Sequence, residues 1–231
     1  MENGSFDATG NAPGGSALLL AEILATRLCH DMAGMLGTVM GALELAGGDP
    51  AMAAEALPVA HDGAQQLAAR LRMLRTAWGG SDESETAQER SVGLDAFLAL
   101  AAGLQHGRRV TVRLDDLATG RCFTPAAVRV LLNVLMLGVE SLHGAGELAV
   151  SGGVSGAVMV AIQGTRAAWP LGFGAMLANP AMALQQATAA DAPRHIQASL
   201  TALVAARAGI TVSMLLGPHA EQAPPLLITL D

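Results

Sequence analysis

Tyrosine and lysine are absent from this 231-residue chain, and it has only two tryptophans, four phenylalanines and two cysteines. With so few rings, aromatic platforms on which single-stranded nucleic acid stacks are scarce. All thirteen basic residues are arginine, set against twenty acids, for a formal charge of -7. An acidic surface argues against phosphate-backbone binding as the main task, with a local arginine patch left open, so no nucleic-acid partner is expected. Cys29 and Cys122 are isolated, and the opening MENGSFDATG carries acids and no basic leader region. The expectation is a cytoplasmic protein with free thiols. No stretch reaches the ~20 uninterrupted apolar residues of a membrane span, so no membrane partner is expected either. The six histidines show no i, i+4 pair and the cysteines no Cys-x-x-Cys, so no zinc motif is present.

What is present is a 52% hydrophobic composition built on alanine, leucine, valine and methionine, enough for one or two domains with real cores. Residues 1–15, rich in Gly, Asn, Ser and Pro, read as a flexible tail. A long helical pattern covers 16–46, Gly47, Gly48, Asp49 and Pro50 stop and restart it, and a second runs over 51–78. Pro58 is expected to kink or delay that second helix. Residues 16–79 thus form a helical hairpin, and the acidic stretch 80–91 a linker.

Within 92–231 the pattern changes. Residues 94–104 are helical, RVTVRLDD from Arg109 alternates as a strand, and Thr124 with Pro125 opens a helix to Leu142. GELAVSGG and GAVMVAIQG read as paired strands, 192–208 as a helix, and GITVSMLL and PLLITL as closing strands. The fold class is α+β: a helical hairpin, then a mixed or antiparallel sheet covered by helices on one face. Two helices cannot bury all of their apolar surface in each other, so the hairpin is expected to dimerise with C2 symmetry into a four-helix bundle.

The first helix holds the stretch with chemistry in it. At ~100° per residue, Leu24, Leu28, Met32, Met35, Val39 and Leu43 form one apolar stripe. His30 lies almost opposite, and Gly34, Gly37 and Gly41 share its face. Each interior glycine costs roughly 0.5–1 kcal/mol relative to alanine unless close approach by another backbone offsets it. A histidine above a flattened strip reads as a docking surface. Asp31, a quarter turn away, is placed to accept from one ring nitrogen, fixing the tautomer and leaving the other with its lone pair outward, as a nucleophile requires. A second pair, His61 and Asp62, keeps open a metal-dependent phosphohydrolase built on His and Asp ligands, although His61 sits beside an apolar face and no remaining acid ligand is evident.

RLCHDMAGMLGTVMGALEL resembles the phosphoacceptor helix of the ChpT-like histidine phosphotransferases, with their Arg-Leu-Cys-His-Asp signature. The likeness continues in ARLRMLRTAWG from Ala69, LLNVLMLGVESL from Leu131 and PRHIQASLTALVAARAG from Pro193, and so spans most of the chain. Met35 stands where the family has proline. The resemblance implies a homodimer whose second domain is a degenerate histidine-kinase-ATPase-like α/β sandwich that binds no ATP. It implies a two-component phosphorelay in which His30, oriented by Asp31, takes a phosphoryl group from a hybrid kinase receiver domain and passes it to a response regulator. Arg27, Gly34, Gly37, Thr38 and Gly41 would meet the receiver. No cofactor is expected on this chain, the magnesium belonging to the receiver. Where related kinases place Thr or Asn four residues after the histidine to position water, Gly34 stands, which implies slow hydrolysis of phosphohistidine.

The nucleotide anchors of a true kinase are missing. Asn133 is followed at plus four by Leu137 instead of a magnesium-binding asparagine. IQGTR puts Ile162 at the place of the adenine-binding aspartate, Gly164 at the first glycine and Arg166 at the last. Gly172–Gly174 could be a lid remnant, although a lone Gly-x-Gly is weak. An ATP-dependent kinase and a non-catalytic dimeric scaffold for receivers remain as rival readings.

Overall fold

Asp49 alone separates two long helices, α1 (Pro13–Gly48) and α2 (Pro50–Trp78). Its side chain accepts from the Ala51 amide at 2.8 Å and Pro50 occupies the first turn, where a missing N–H costs nothing. The helices fold back on each other as an antiparallel hairpin with Ala42, Ala56 and Ala60 buried between them. At Gly63 an added Cβ would lie 2.9 Å from Val39 Cγ2, so the glycine lets the two helices approach without displacing the valine side chain. Pro58 does not delay α2, which begins eight residues before it and runs unbroken through it. The structure, a computed structural model, describes residues 13–79, 91–104, 109–153, 156–189, 192–216 and 222–230. Most of the expected tail, residues 1–12, and of the expected linker, residues 80–90, lie outside them.

The second part of the chain is a sheet under helices. Its elements are β1 (Val92–Gly93), α3 (Leu94–Ala101), β2 (Val110–Asp116), β3 (Cys122–Phe123), α4 (Pro125–Ser141), β4 (Gly146–Gly152) and β5 (Val158–Gln163). They are followed by α5 (Phe173–Ala178), α6 (Pro180–Ala187), α7 (Ala192–Ala208), β6 (Thr211–Met214) and β7 (Leu226–Thr229). The main sheet has the order β2-β4-β5-β7-β6, and β1 pairs with β3 separately. The sheet is mixed: β2 runs parallel to β4 and every other pair is antiparallel, with Leu148 opposite Ile162 and Val160 opposite Leu226. Leu148, Val150, Val158, Val160, Ile162, Leu226 and Ile228 are buried while their neighbours alternate outward, so one face carries the core. This is the expected α+β arrangement, two long helices and an ATPase-like α/β sandwich.

Helix α4 lies at the centre. Thr124 caps it, accepting from the Ala127 amide at 3.1 Å, and nearly every residue from Ala127 to Gly138 is buried. Such a helix is apolar on all sides because it is covered on all sides: the sheet lies on one side, α7 on another and the end of α2 on a third. Met73, Leu74 and Ala77 of α2 belong to the same core as Phe97 of α3 and Leu131 of α4. The hairpin is therefore welded to the sandwich through its last turns. Helices α5 and α6 carry no clear sequence signal; Asn179 ends one and caps the other, accepting from the Ala181 amide at 3.1 Å. No helix among the described residues is long and apolar enough to cross a membrane.

Candidate functional site

His30 stands near the middle of α1 with its side chain 89% exposed. Below it, a Cβ added at Gly34, Gly37 or Gly41 would meet no atom within 4 Å. The glycine strip is open in this chain, and Thr38 beside it turns its hydroxyl back onto the Gly34 carbonyl at 3.3 Å. Imidazole and strip form one accessible face, opposite the half-buried stripe of Leu24, Leu28, Met32, Met35 and Val39, while Leu43 is exposed.

Asp31 points from that face toward α2. Its Oδ2 accepts from Arg70 Nη2 at 2.9 Å, and the Arg70 side chain is only 6% exposed. Its Oδ1 lies 3.8 Å from His30 Nδ1, a near approach longer than a hydrogen bond. The carboxylate expected to bond the imidazole is thus held first by a buried guanidinium, whose charge needs an anion there.

Arg27, one turn before His30, also faces inward. It donates to Glu140 at the end of α4, and its guanidinium lies 5.9 Å from the centroid of the Trp78 ring. It bridges α1 and the sandwich instead of standing free on the face of His30. Desolvation pushes the Glu140 carboxyl above the usual carboxylate range, with nearby Asp31 adding to the rise, and the Arg27 and Arg70 guanidiniums offset part of it.

Asn133, the asparagine expected at the position of a kinase's nucleotide site, is fully buried. Its Oδ1 accepts from Trp78 Nε1 at 3.1 Å and Gln197 Nε2 at 3.0 Å, and its Nδ2 donates to the carbonyls of Ala77 at 3.1 Å and Arg129 at 2.9 Å. The carboxamide is fully used in fastening α2 and α7 to α4. Leu137 and Ile162 are buried in the core, and Gly164 packs so closely on the Ala145 carbonyl that a Cβ would lie 2.8 Å from its oxygen. The Gly-Phe-Gly stretch starts α5: Gly172 takes a left-handed φ of 77° and Phe173 is buried, its ring 6.1 Å from Trp169. A shallow cavity of about 360 Å³ beside it, between Trp169, Leu171, Met214 and Pro224, has no charged side chain in its lining.

His61 is exposed, with Nε2 2.7 Å from Gln65 Nε2. Among the described residues no three His, Cys, Asp or Glu side chains converge as a metal site. Cys29 and Cys122 are exposed and free. Arg70, Glu140, Trp78 and Gln197 were not singled out in the sequence. Only Arg70 carried a signal there, a charge at the phase of Leu67, Leu71 and Leu74 on an otherwise apolar face.

The family model described as histidine phosphotransferase C-terminal domain matches residues 95–219, more than half of the chain. This chain belongs to the ChpT-like histidine phosphotransferase family. The match covers the sandwich, so the family is established independently of the hairpin that carries His30. Among solved structures, a bacterial phosphotransferase determined at 1.7 Å is 21% identical, with a TM-score of 0.64 over 92% of this chain and 97% of that one. That likeness concerns the fold and takes in the hairpin as well as the sandwich. Full-length ShkA in complex with AMPPNP is 14% identical, with a TM-score of 0.42 over 94% of this chain and 45% of that one. No curated protein matches this sequence.

Proposed function

We propose that this histidine phosphotransferase is the middle member of a two-component phosphorelay, with His30 as its phosphoryl carrier. A phosphorylated receiver domain of a hybrid histidine kinase docks on the face of His30, Gly34, Gly37 and Gly41. The imidazole attacks the aspartyl phosphate in line, and the phosphohistidine then gives the group to the aspartate of a response regulator. The magnesium that balances phosphoryl charge belongs to the receiver, and this chain needs no cofactor. The observation that carries the reading is the 89% exposed imidazole on an open glycine strip, with a carboxylate one residue away.

ATP has no part in this scheme. The reading is supported by the Asn133 carboxamide being spent on four protein partners and by the apolar, buried Leu137 and Ile162. Titration calorimetry with ATP and magnesium should give no binding heat; saturable heat would favour the kinase reading. The decisive experiment incubates the protein with a receiver carrying radiolabelled aspartyl phosphate. Acid-labile, alkali-stable label should appear on this chain, and its absence would overturn the proposal. With Gly34 four residues after the histidine, that label should decay slowly without an acceptor.

The docking face can be tested separately. Gly37→Ala adds a methyl group to open space in the free chain, so it should stabilise α1 by about 0.5–1 kcal/mol in denaturant titrations. It should also weaken receiver binding, because the methyl group stands where the partner's backbone comes close. Unchanged affinity in calorimetry would remove the strip from the interface.

The homodimer is part of the same proposal. Leu36, Met40, Leu43, Met52, Leu57 and Leu71 of the hairpin are all more than 40% exposed, an apolar surface that a second copy would cover. Sedimentation equilibrium should give twice the chain mass, and Met40→Glu should shift it toward the monomer. A monomeric wild type would refute the bundle.

A further inference from the structure

We propose that Arg70 is a positioning residue for phosphoryl transfer, acting through Asp31 to set which nitrogen of His30 carries the lone pair. The inference rests on His30 being the phosphoryl acceptor. Arg70 comes from α2 and His30 from α1, so the hairpin itself brings the two to one carboxylate. Arg70 Nη2 holds Asp31 Oδ2 at 2.9 Å, and its buried guanidinium leaves Asp31 little freedom to turn away. A carboxylate pinned at one oxygen presents the other in a fixed direction, and Oδ1 is the atom 3.8 Å from His30 Nδ1. Closing that gap takes only a small rotation of an imidazole that is almost wholly in solvent.

The consequence follows from donors and acceptors. An anionic Oδ1 can only accept, so the imidazole that meets it does so with Nδ1–H, and Nε2 keeps its lone pair toward the partner. In the transfer, Nε2 gives that pair to phosphorus, and the acyl P–O bond breaks with its electrons leaving on the receiver aspartate. The ring gains the positive charge that the departing carboxylate balances. Asp31 Oδ1 then faces the cationic ring across Nδ1–H, and the charge of Arg70 keeps that carboxylate in place without itself touching the reacting atoms. Glu140 and Arg27 form a second hydrogen-bonded pair on the same side of α1; Arg70 also acts on Glu140 through its charge, while its hydrogen bond goes to Asp31.

Three variants of the full chain, labelled with 15N-histidine, test this. The ring-nitrogen shifts of neutral His30 read the tautomer, and label transfer from a phosphorylated receiver and from phosphoramidate reads the chemistry. In the wild type the Nδ1–H form should dominate. Arg70→Met should divide the ring between tautomers and lower kcat about tenfold with KM within twofold, and Arg70→Lys should restore most of both. Asp31→Asn keeps the hairpin's packing and gives a sharper result. Arg70, a pure donor, selects the amide oxygen, turning the NH2 toward Nδ1 and driving the proton to Nε2. An unchanged tautomer in Arg70→Met or Asp31→Asn, or a loss confined to KM in Arg70→Met, would overturn the role of Arg70. If Arg70→Met does not fold, the tautomer of Asp31→Asn decides. Absence of label on the wild type from both donors would instead sink the reading of His30 as acceptor, while the tautomer comparison still decides that of Arg70.

Discussion

His30→Gln should abolish phosphoryl acceptance from the receiver while leaving the fold unchanged. The imidazole is exposed and makes no hydrogen bond that holds the structure together, and glutamine is a good helix former, so stability should stay within about 0.5 kcal/mol of the wild type. Transfer should fall on the order of 10⁴-fold or more, the scale on which an enzyme loses activity with its nucleophile. Nothing nearby can replace it. Cys29 adjoins His30 in sequence but projects from a different side of the helix, and His61 belongs to the other helix, beside Gln65. The measurement is acid-labile label per chain, with receiver binding followed in parallel. Retained binding with no label separates a carrier from a scaffold. Equal label on His30→Gln would remove His30 from the mechanism, and label moved to His61 would place the acceptor on α2.

Much of this site is written locally. The phase that puts His30 opposite the Leu24–Val39 stripe and above Gly34, Gly37 and Gly41 depends only on helical geometry, and a helix that starts earlier and ends later than expected does not alter it. The turn at Asp49 and Pro50, the cap at Thr124 and the alternation of β4, β5, β6 and β7 are equally local. What was hidden is tertiary. Arg70 meets Asp31 across 39 positions and Glu140 meets Arg27 across 113, so no spacing rule links either pair, and the cation expected at the receiver is claimed by a carboxylate of the other domain. Helices α5 and α6 lacked a signal because six- and eight-residue segments rich in Ala and Met are too short for a 3.6-residue period to stand out.

Asn133→Leu should be strongly destabilising, and it separates a structural role of this residue from a nucleotide-binding one. Leucine has the same branching and the same number of side-chain heavy atoms, so no cavity opens and what is lost is chiefly hydrogen bonding. The Trp78 Nε1–H and the Gln197 amide lose their shared acceptor, and the Ala77 and Arg129 carbonyls lose a donor, in a region without access to water. Each buried polar group left unpaired costs about 1–3 kcal/mol. Some relax onto one another, since Gln197 already lies near Thr201, and a net loss of about 3 kcal/mol, or roughly 10 °C in Tm, is the expected result. Two of the four partners, Trp78 and Ala77, lie in the last turn of α2, so the loss should loosen the hairpin from the sandwich as well as the sandwich itself. Transfer to His30, measured well below the new Tm, should fall less than about fivefold, because His30, Asp31 and Arg70 all belong to the hairpin and distant sites behave nearly independently. A residue kept for nucleotide would show the reverse, a stable variant altered only toward ATP. A destabilised variant with near-normal transfer would therefore assign the Asn133 amide to joining α2, α4 and α7, and would agree with a phosphoryl group that comes from another protein, as proposed.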